Sequence, residues 1–84
     1  MATFLVVSEH DNPDLAQRIV EAFPKYNHYV LSDNQWLVDA EKTTGEVGHE
    51  LDIIGGKFGR VVVFLVSGHA GYHKQGLWEW MQLD

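Results

Sequence analysis

Two rhythms of apolar residues alternate along this chain. Phe4-Leu5-Val6-Val7 is a continuous apolar run, and so is Val61 to Val66. A strand covered on both faces needs apolar side chains at successive positions, so these runs predict buried strands over 3–8 and 61–66. A different period follows the first run. Leu15, Ala16, Ile19, Val20 and Phe23 recur at helical spacing and form one stripe. Asn12 is a favoured helix N-cap and Pro13 is tolerated at the first helical position. Pro24 cannot continue the backbone ladder and stops the helix. Tyr26 to Leu31 is aromatic and β-branched, as strands are. Ser32-Asp33-Asn34 supplies a polar turn, and Trp36 to Ala40 returns as the hairpin partner.

The most legible signal is the step from Trp36-Leu37-Val38 into Thr43-Thr44-Gly45-Glu46. Thr43 can accept from the N–H of Glu46 while the Glu46 carboxylate reaches back to the N–H of Thr43, a reciprocal capping box. Val47, Leu51 and Ile54 then recur at helical spacing, with Gly55 placed to cap the end. Gly55-Gly56-Lys57-Phe58-Gly59 reads as a connector. The resulting order is β-α-β-β-α-β. Right-handed crossovers leave few sheets for that order, and the ferredoxin-like α+β sandwich is the common one. The expectation is a single domain over 1–84, with a core at 3–66 and a C-terminal extension at 67–84. Two helices cover one face of such a sheet. The strands are apolar on both sides, so the other face needs a cover: the extension in part, a second copy of the chain for the rest.

Composition narrows the class. The chain has 84 residues, no cysteine and 45 % hydrophobic residues. It is one small globular domain without disulfides or thiolate metal ligands. A domain this small buries a limited core, and oligomerisation is a common way to strengthen it. The N-terminus lacks a basic n-region, and Val61 to Val66 is far short of the roughly 20 residues that span a bilayer. A cytoplasmic protein with no membrane association is expected. Six basic residues stand against twelve acidic ones, for a formal charge of −6. Lys and Arg supply most non-specific nucleic-acid affinity, so this balance argues against nucleic acid as a partner. Arg18, Lys25, Lys57, Arg60 and Lys74 are scattered through the sequence.

At this point the chain resembles the Cas2-like ferredoxin-fold family, including the small proteins labelled SinR-like. The resemblance runs from Thr3 to about Val66. It rests on Phe4-Leu5-Val6-Val7, on Trp36-Leu37-Val38 followed by Thr43-Thr44-x-Glu46 and Leu51, and on the apolar fourth strand. It implies a homodimer packed through sheet faces or edge strands. For Cas2 proper it also implies a metal-dependent phosphodiesterase or a structural role in spacer acquisition. The family places an aspartate at the end of the first strand, and the matching residue here is Ser8.

Three clusters carry candidate chemistry. Glu9, His10 and Asp11 follow the first strand and offer carboxylate and imidazole ligands for Mg²⁺, Mn²⁺ or Zn²⁺. The same types also suit a helix start, where Asp11 and Asn12 cap. His69 and His73 stand four apart, a zinc spacing on a helix, but Gly68, Gly71 and Gly76 oppose a helix there; His10, His28 or Asp11 is a candidate further ligand. Gly68 to Gly76 can also offer backbone N–H groups to a phosphate, although the ending of a P-loop is missing. Last, Leu77-Trp78-Glu79-Trp80-Met81 concentrates aromatic residues. If extended, Trp78 and Trp80 share a face; if helical, Leu77, Trp80 and Met81 do. Leu77, Trp78, Trp80 and Met81 are therefore candidates for an interface or for this chain's own core.

The functional expectation is a non-catalytic, homodimeric regulatory or protein-interaction module without a cofactor, linked through the resemblance to mobile elements or defence. One form of it is an acidic protein occupying a basic site on a protein partner. The alternative is a Cas2-like metal-dependent phosphodiesterase using Asp11, helped by Glu9 and His10, with Mg²⁺ or Mn²⁺.

Overall fold

A computed structural model describes residues 1–82 of the chain. The elements run β1 (Ala2–Ser8), α1 (Pro13–Ala22), β2 (His28–Ser32), β3 (Gln35–Ala40), α2 (Thr44–Leu51), β4 (Val61–Val66) and α3 (Gln75–Gln82). The strands form one sheet in the order β2-β3-β1-β4, with every neighbouring pair antiparallel. This is a small α+β fold: a four-stranded antiparallel sheet with three helices.

Register decides which side chains share a face. Phe4 lies opposite Val38 and Leu65, while Leu5 lies opposite Leu37 and Phe64. Alternation along each strand then separates two layers. On the first face, Phe4, Val6, Trp36, Val38 and Ala40 pack with Leu15, Ile19 and Phe23 from the α1 segment and Val47, Leu51 and Ile53 from the α2 segment. On the second face, Leu37 packs with Leu77 and Trp80, with Leu5, Tyr29, Leu31, Val66, Trp78 and Met81 around them.

Local chemistry explains the helix starts. Leu15 N–H donates to Asn12 Oδ1 at 3.2 Å, and Pro13 occupies the first turn of α1. The helix gives way at Phe23, just before Pro24. Its buried stripe is narrower than the periodicity predicts: Leu15 and Ile19 are buried, whereas Val20 is exposed. Both halves of the α2 capping box form. Glu46 N–H donates to Thr43 Oγ1 at 3.2 Å and Thr43 N–H donates to Glu46 Oε1 at 2.8 Å.

Two boundaries differ from the sequence expectation, and one open reading is decided. Helix α2 ends at Leu51, and the left-handed residue that closes it is Asp52 (φ 61°, ψ 39°), not Gly55. The reversal at Asp52 breaks the helical phase, so Ile53 is buried and Ile54 is exposed. Strand β2 begins at His28 rather than Tyr26, because residues 25–27 form a 3-10 turn with Lys25 at φ 56°. That turn carries the chain from the helix layer to the sheet edge, and it overrides the strand preference of Tyr26. His28 Nδ1 lies 2.6 Å from the Phe23 carbonyl oxygen and ties the strand to the end of α1. The extension folds as a helix from Gln75, so the helical reading of the Trp-rich segment holds: Leu77 and Trp80 are buried and Met81 is half-buried.

Helix α3 is held by more than apolar contact. Trp80 Nε1–H donates to the Tyr26 carbonyl at 2.7 Å, and its ring lies 5.9 Å from that of Tyr29. Two of the residues considered for an interface, Leu77 and Trp80, are thereby used in this chain's own second layer. No helix among the described residues is long and apolar enough to cross a membrane.

Candidate functional site

The end of β1 is a hydrogen-bonded knot. Ser8 is buried. Its N–H donates to the Asn34 carbonyl at 2.9 Å, and Asn34 Nδ2 donates to the Ser8 carbonyl at 3.0 Å. Asn12 Nδ2 donates to Ser8 Oγ at 3.1 Å and to the Phe58 carbonyl at 2.8 Å. One asparagine therefore joins the helix start, the strand end and the loop before β4. Ser8 is thus committed to structural hydrogen bonds.

Beyond the knot, Glu9, His10 and Asp11 are exposed. Glu9 Oε1 lies 3.1 Å from His10 Nε2, and Glu9 Oε2 accepts from Arg60 Nη1 at 3.1 Å. Asp11 borders a shallow hollow on the first face with Pro13, Ala16, Val30 and Trp36. His69 and His73 line a cleft on the second face. The sheet thus separates Asp11 from the two histidines, and among the described residues no three His, Asp or Glu side chains gather to hold a metal ion. Among the described residues of one chain, neither the end of β1 nor the surroundings of His69 and His73 gather such a set.

Positive charge is dispersed. Lys42 pairs with Glu50 at 3.1 Å and Lys57 with Asp52 at 3.3 Å. Arg18 donates across the helix layer to the Glu50 carbonyl. Exposed pairs of this kind contribute little to stability. Among the carboxylates, Glu46 is held below its ordinary range, first by the Thr43 backbone N–H, then by the Thr43 hydroxyl, with Lys42 adding attraction.

The cleft on the second face encloses about 350 Å³. Leu5, Leu31, Leu37 and Val66 floor it, the segment 68–73 closes one side, and Leu77, Trp78 and Met81 close the other. The His69 ring stacks on Trp78 with centroids 5.9 Å apart and planes 19° apart. His73 Nδ1 is buried and has no hydrogen-bond partner among the described residues. Most of the Gly68–Gly76 segment, residues 68–73, thus forms one wall of a mainly apolar cleft, a setting unlike the polar cradle that a phosphate prefers. The floor residues Leu5, Leu31 and Leu37 carried no signal of their own, because in sequence they are ordinary strand positions.

The remaining feature is strand β4. It is an edge strand, and no described strand pairs with its outer side. Its Val62, Phe64 and Leu65 are 50 %, 53 % and 58 % exposed. By alternation Val62 and Phe64 face the second layer beyond the reach of α3, and Leu65 faces the first. Comparison with known proteins finds no match for this chain among family models, curated proteins or solved structures.

Proposed function

We propose that this chain is a ferredoxin-like interaction module that works as a homodimer and as a docking partner for other proteins, without catalysis of its own. The strand order β2-β3-β1-β4, with α1 and α2 crossing one face, supports the ferredoxin-like reading. The observation that carries the interaction reading is β4. An uncharged apolar edge strand with a half-exposed phenylalanine is a liability that stable proteins cover, and strand addition covers it with backbone hydrogen bonds. An antiparallel β4–β4 pair is self-complementary about a two-fold axis and joins two sheets into one. It also brings the Val62 and Phe64 positions of the two copies onto a shared face. The Cas2-like resemblance of the sequence supports a homodimer and is the reason for proposing a mobile-element or defence setting.

The hydrogen bonds of Ser8 support the non-catalytic reading, since a neutral, committed hydroxyl stands where a metal-binding carboxylate is needed for the phosphodiesterase. Light scattering across a dilution series tests the dimer. The unaltered chain is expected to reach twice the monomer mass at high concentration, and Phe64→Lys with Leu65→Lys is expected to stay monomeric with an unchanged far-ultraviolet spectrum. A chain that remains monomeric at the highest soluble concentration refutes the dimer. For the rival activity, cleavage of DNA or RNA in Mg²⁺ or Mn²⁺ that disappears in Asp11→Ala overturns the non-catalytic reading.

A further inference from the structure

The sheet has a second open edge, β2, and no described strand pairs with its outer side. The hollow on the first face lies between this edge and α1 and encloses about 370 Å³. Pro13 and Ala16 form its helix side, and Val30 and Trp36 its strand side. Val30 is 53 % exposed, and Val20, one turn beyond Ala16 on α1, is 44 % exposed. Ties near both ends hold helix and strand apart at a fixed width. Asn12 N–H donates to the Asp33 carbonyl at 3.4 Å, and His28 Nδ1 lies 2.6 Å from the Phe23 carbonyl oxygen. Asp11 and Asp33 line the hollow at the Asn12 end. Arg18, Lys42, Lys57 and Arg60 are engaged elsewhere, and among the described residues no ion pair reaches Asp11 or Asp33.

These features together select an occupant. An open strand edge offers backbone donors and acceptors, which an extended chain satisfies by adding as a further strand. The register shift between Val30 and Ser32 ends regular pairing there, so an added strand runs along His28 to Val30. Alternation then sets one of its side chains beside Val30, and the next on the same face passes Asp11 and Asp33. An aliphatic group suits the first position and a cation the second. A second copy is a poor fit, because a chain of formal charge −6 brings like charge to this rim. We propose that this groove docks an extended basic segment of another protein. An aliphatic side chain of the segment lies against Val30, and a Lys or Arg two residues from it pairs with Asp11 and Asp33. This names a partner chemistry for the docking reading above. It lies at the opposite edge of the sheet from β4, so either can fail without the other.

The probe is the peptide acetyl-TKTVTKT-amide, whose basic residues flank the valine symmetrically and serve either strand direction. Titrated into the full chain and followed by nuclear magnetic resonance, it is expected to give saturable shifts at the Ala16, Val20 and Val30 methyls. It is also expected to slow hydrogen exchange of β2 amides. Acetyl-TETVTET-amide is expected to do neither. Asp11→Asn with Asp33→Asn is expected to weaken binding about fivefold at low salt, the worth of two exposed ion pairs. Val30→Lys, at an exposed position, is expected to abolish binding. Phe64→Lys with Leu65→Lys is expected to bind the peptide as the unaltered chain does, which separates this site from the dimer. Several outcomes overturn the proposal: no saturation up to the peptide's solubility, shifts centred on Val62 and Phe64, equal binding of the acidic peptide, shifts without protection of β2, or undiminished affinity in the aspartate or Val30 variant. Movement of the groove signals on concentrating the protein alone also overturns it, because a second copy is then the occupant.

Discussion

The two faces of the sheet are built on different terms. The first is closed by two helices whose starts are set by local hydrogen bonds, and its side chains from Phe4 through Val38 to Leu51 are almost wholly buried. The second is covered by one short helix over β2 and β3, with Val62 and Phe64 left half in solvent. Apolar strands alone do not make these faces alike. The first face meets partners that the sequence supplies nearby, whereas the second is filled by a segment that must fold back over the sheet. A face finished in this way keeps a cleft and an open margin.

Tryptophan removal on each side breaks the comparison most directly. Trp36 belongs to the first core and Trp80 anchors the second. Trp36→Ala is expected to cost about 3–5 kcal/mol, a large share of the roughly 5–15 kcal/mol that holds a domain together. Urea unfolding should show an early or absent cooperative transition. Trp80→Ala is expected to release α3 while the sheet stays protected, which hydrogen exchange of the α3 amides against those of β1 and β3 will show. Equal loss of protection in both regions would mean that the second layer is an obligatory part of the core.

A smaller effect is expected at the knot behind β1. Asn12→Ala removes the α1 cap and the bonds to Ser8 Oγ and the Phe58 carbonyl. A loss of about 2 kcal/mol in a urea titration is the expected result. Trp80→Phe keeps most of the ring packing and deletes only the bond to the Tyr26 carbonyl. It should lower stability by about 1 kcal/mol, measured in the same way. The ratio of these two losses sharpens the comparison, since both changes delete polar anchoring, one on each face.

The smallest effect is a pH dependence confined to the first face. The Glu46 carboxyl is depressed in the folded chain by the Thr43 N–H, the Thr43 hydroxyl and Lys42. A depressed carboxyl stabilises the fold above its unfolded-state value, and that contribution is lost as pH falls through the lower folded value. Glu46→Gln can keep the box geometry but not the charge. The difference in stability between the two chains should be present near neutral pH and fade on acidification below the ordinary glutamate range. Urea titrations at a series of pH values measure it. A difference that grows on acidification would contradict the assigned sign.

How far the chain could be read in advance follows the range of each interaction. The Thr43–Glu46 box, the Asn12-Pro13 start and the β4 run depend on residues within one turn or one strand, and each forms where its residues predict. The end of α2 does not follow from the nearest glycine. Gly55 is intrinsically better suited to a left-handed backbone, yet Asp52 takes that conformation, where the reversal sends Ile53 into the core. Of the candidate site residues, the sequence points to Glu9, His10 and Asp11, and the structure leaves them exposed beside a satisfied Ser8. His69 and His73 are also visible in the sequence. Their setting is not, because Leu5, Leu31 and Leu37 reach the cleft only through strand register.

By itself, then, the sequence determined the strands, the order of elements and two helix caps, since propensity, periodicity and capping act over a few residues. The tertiary structure alone decided that the Trp-rich segment is a helix lying on the second face. Glycines around it weaken any local preference, and both the extended and the helical forms gather apolar residues on one side. Burial of Leu77 and Trp80 against Leu37, with the bond from Trp80 to Tyr26, selects between them. That selection depends on contacts between residues 40 to 54 positions apart, which no local pattern records.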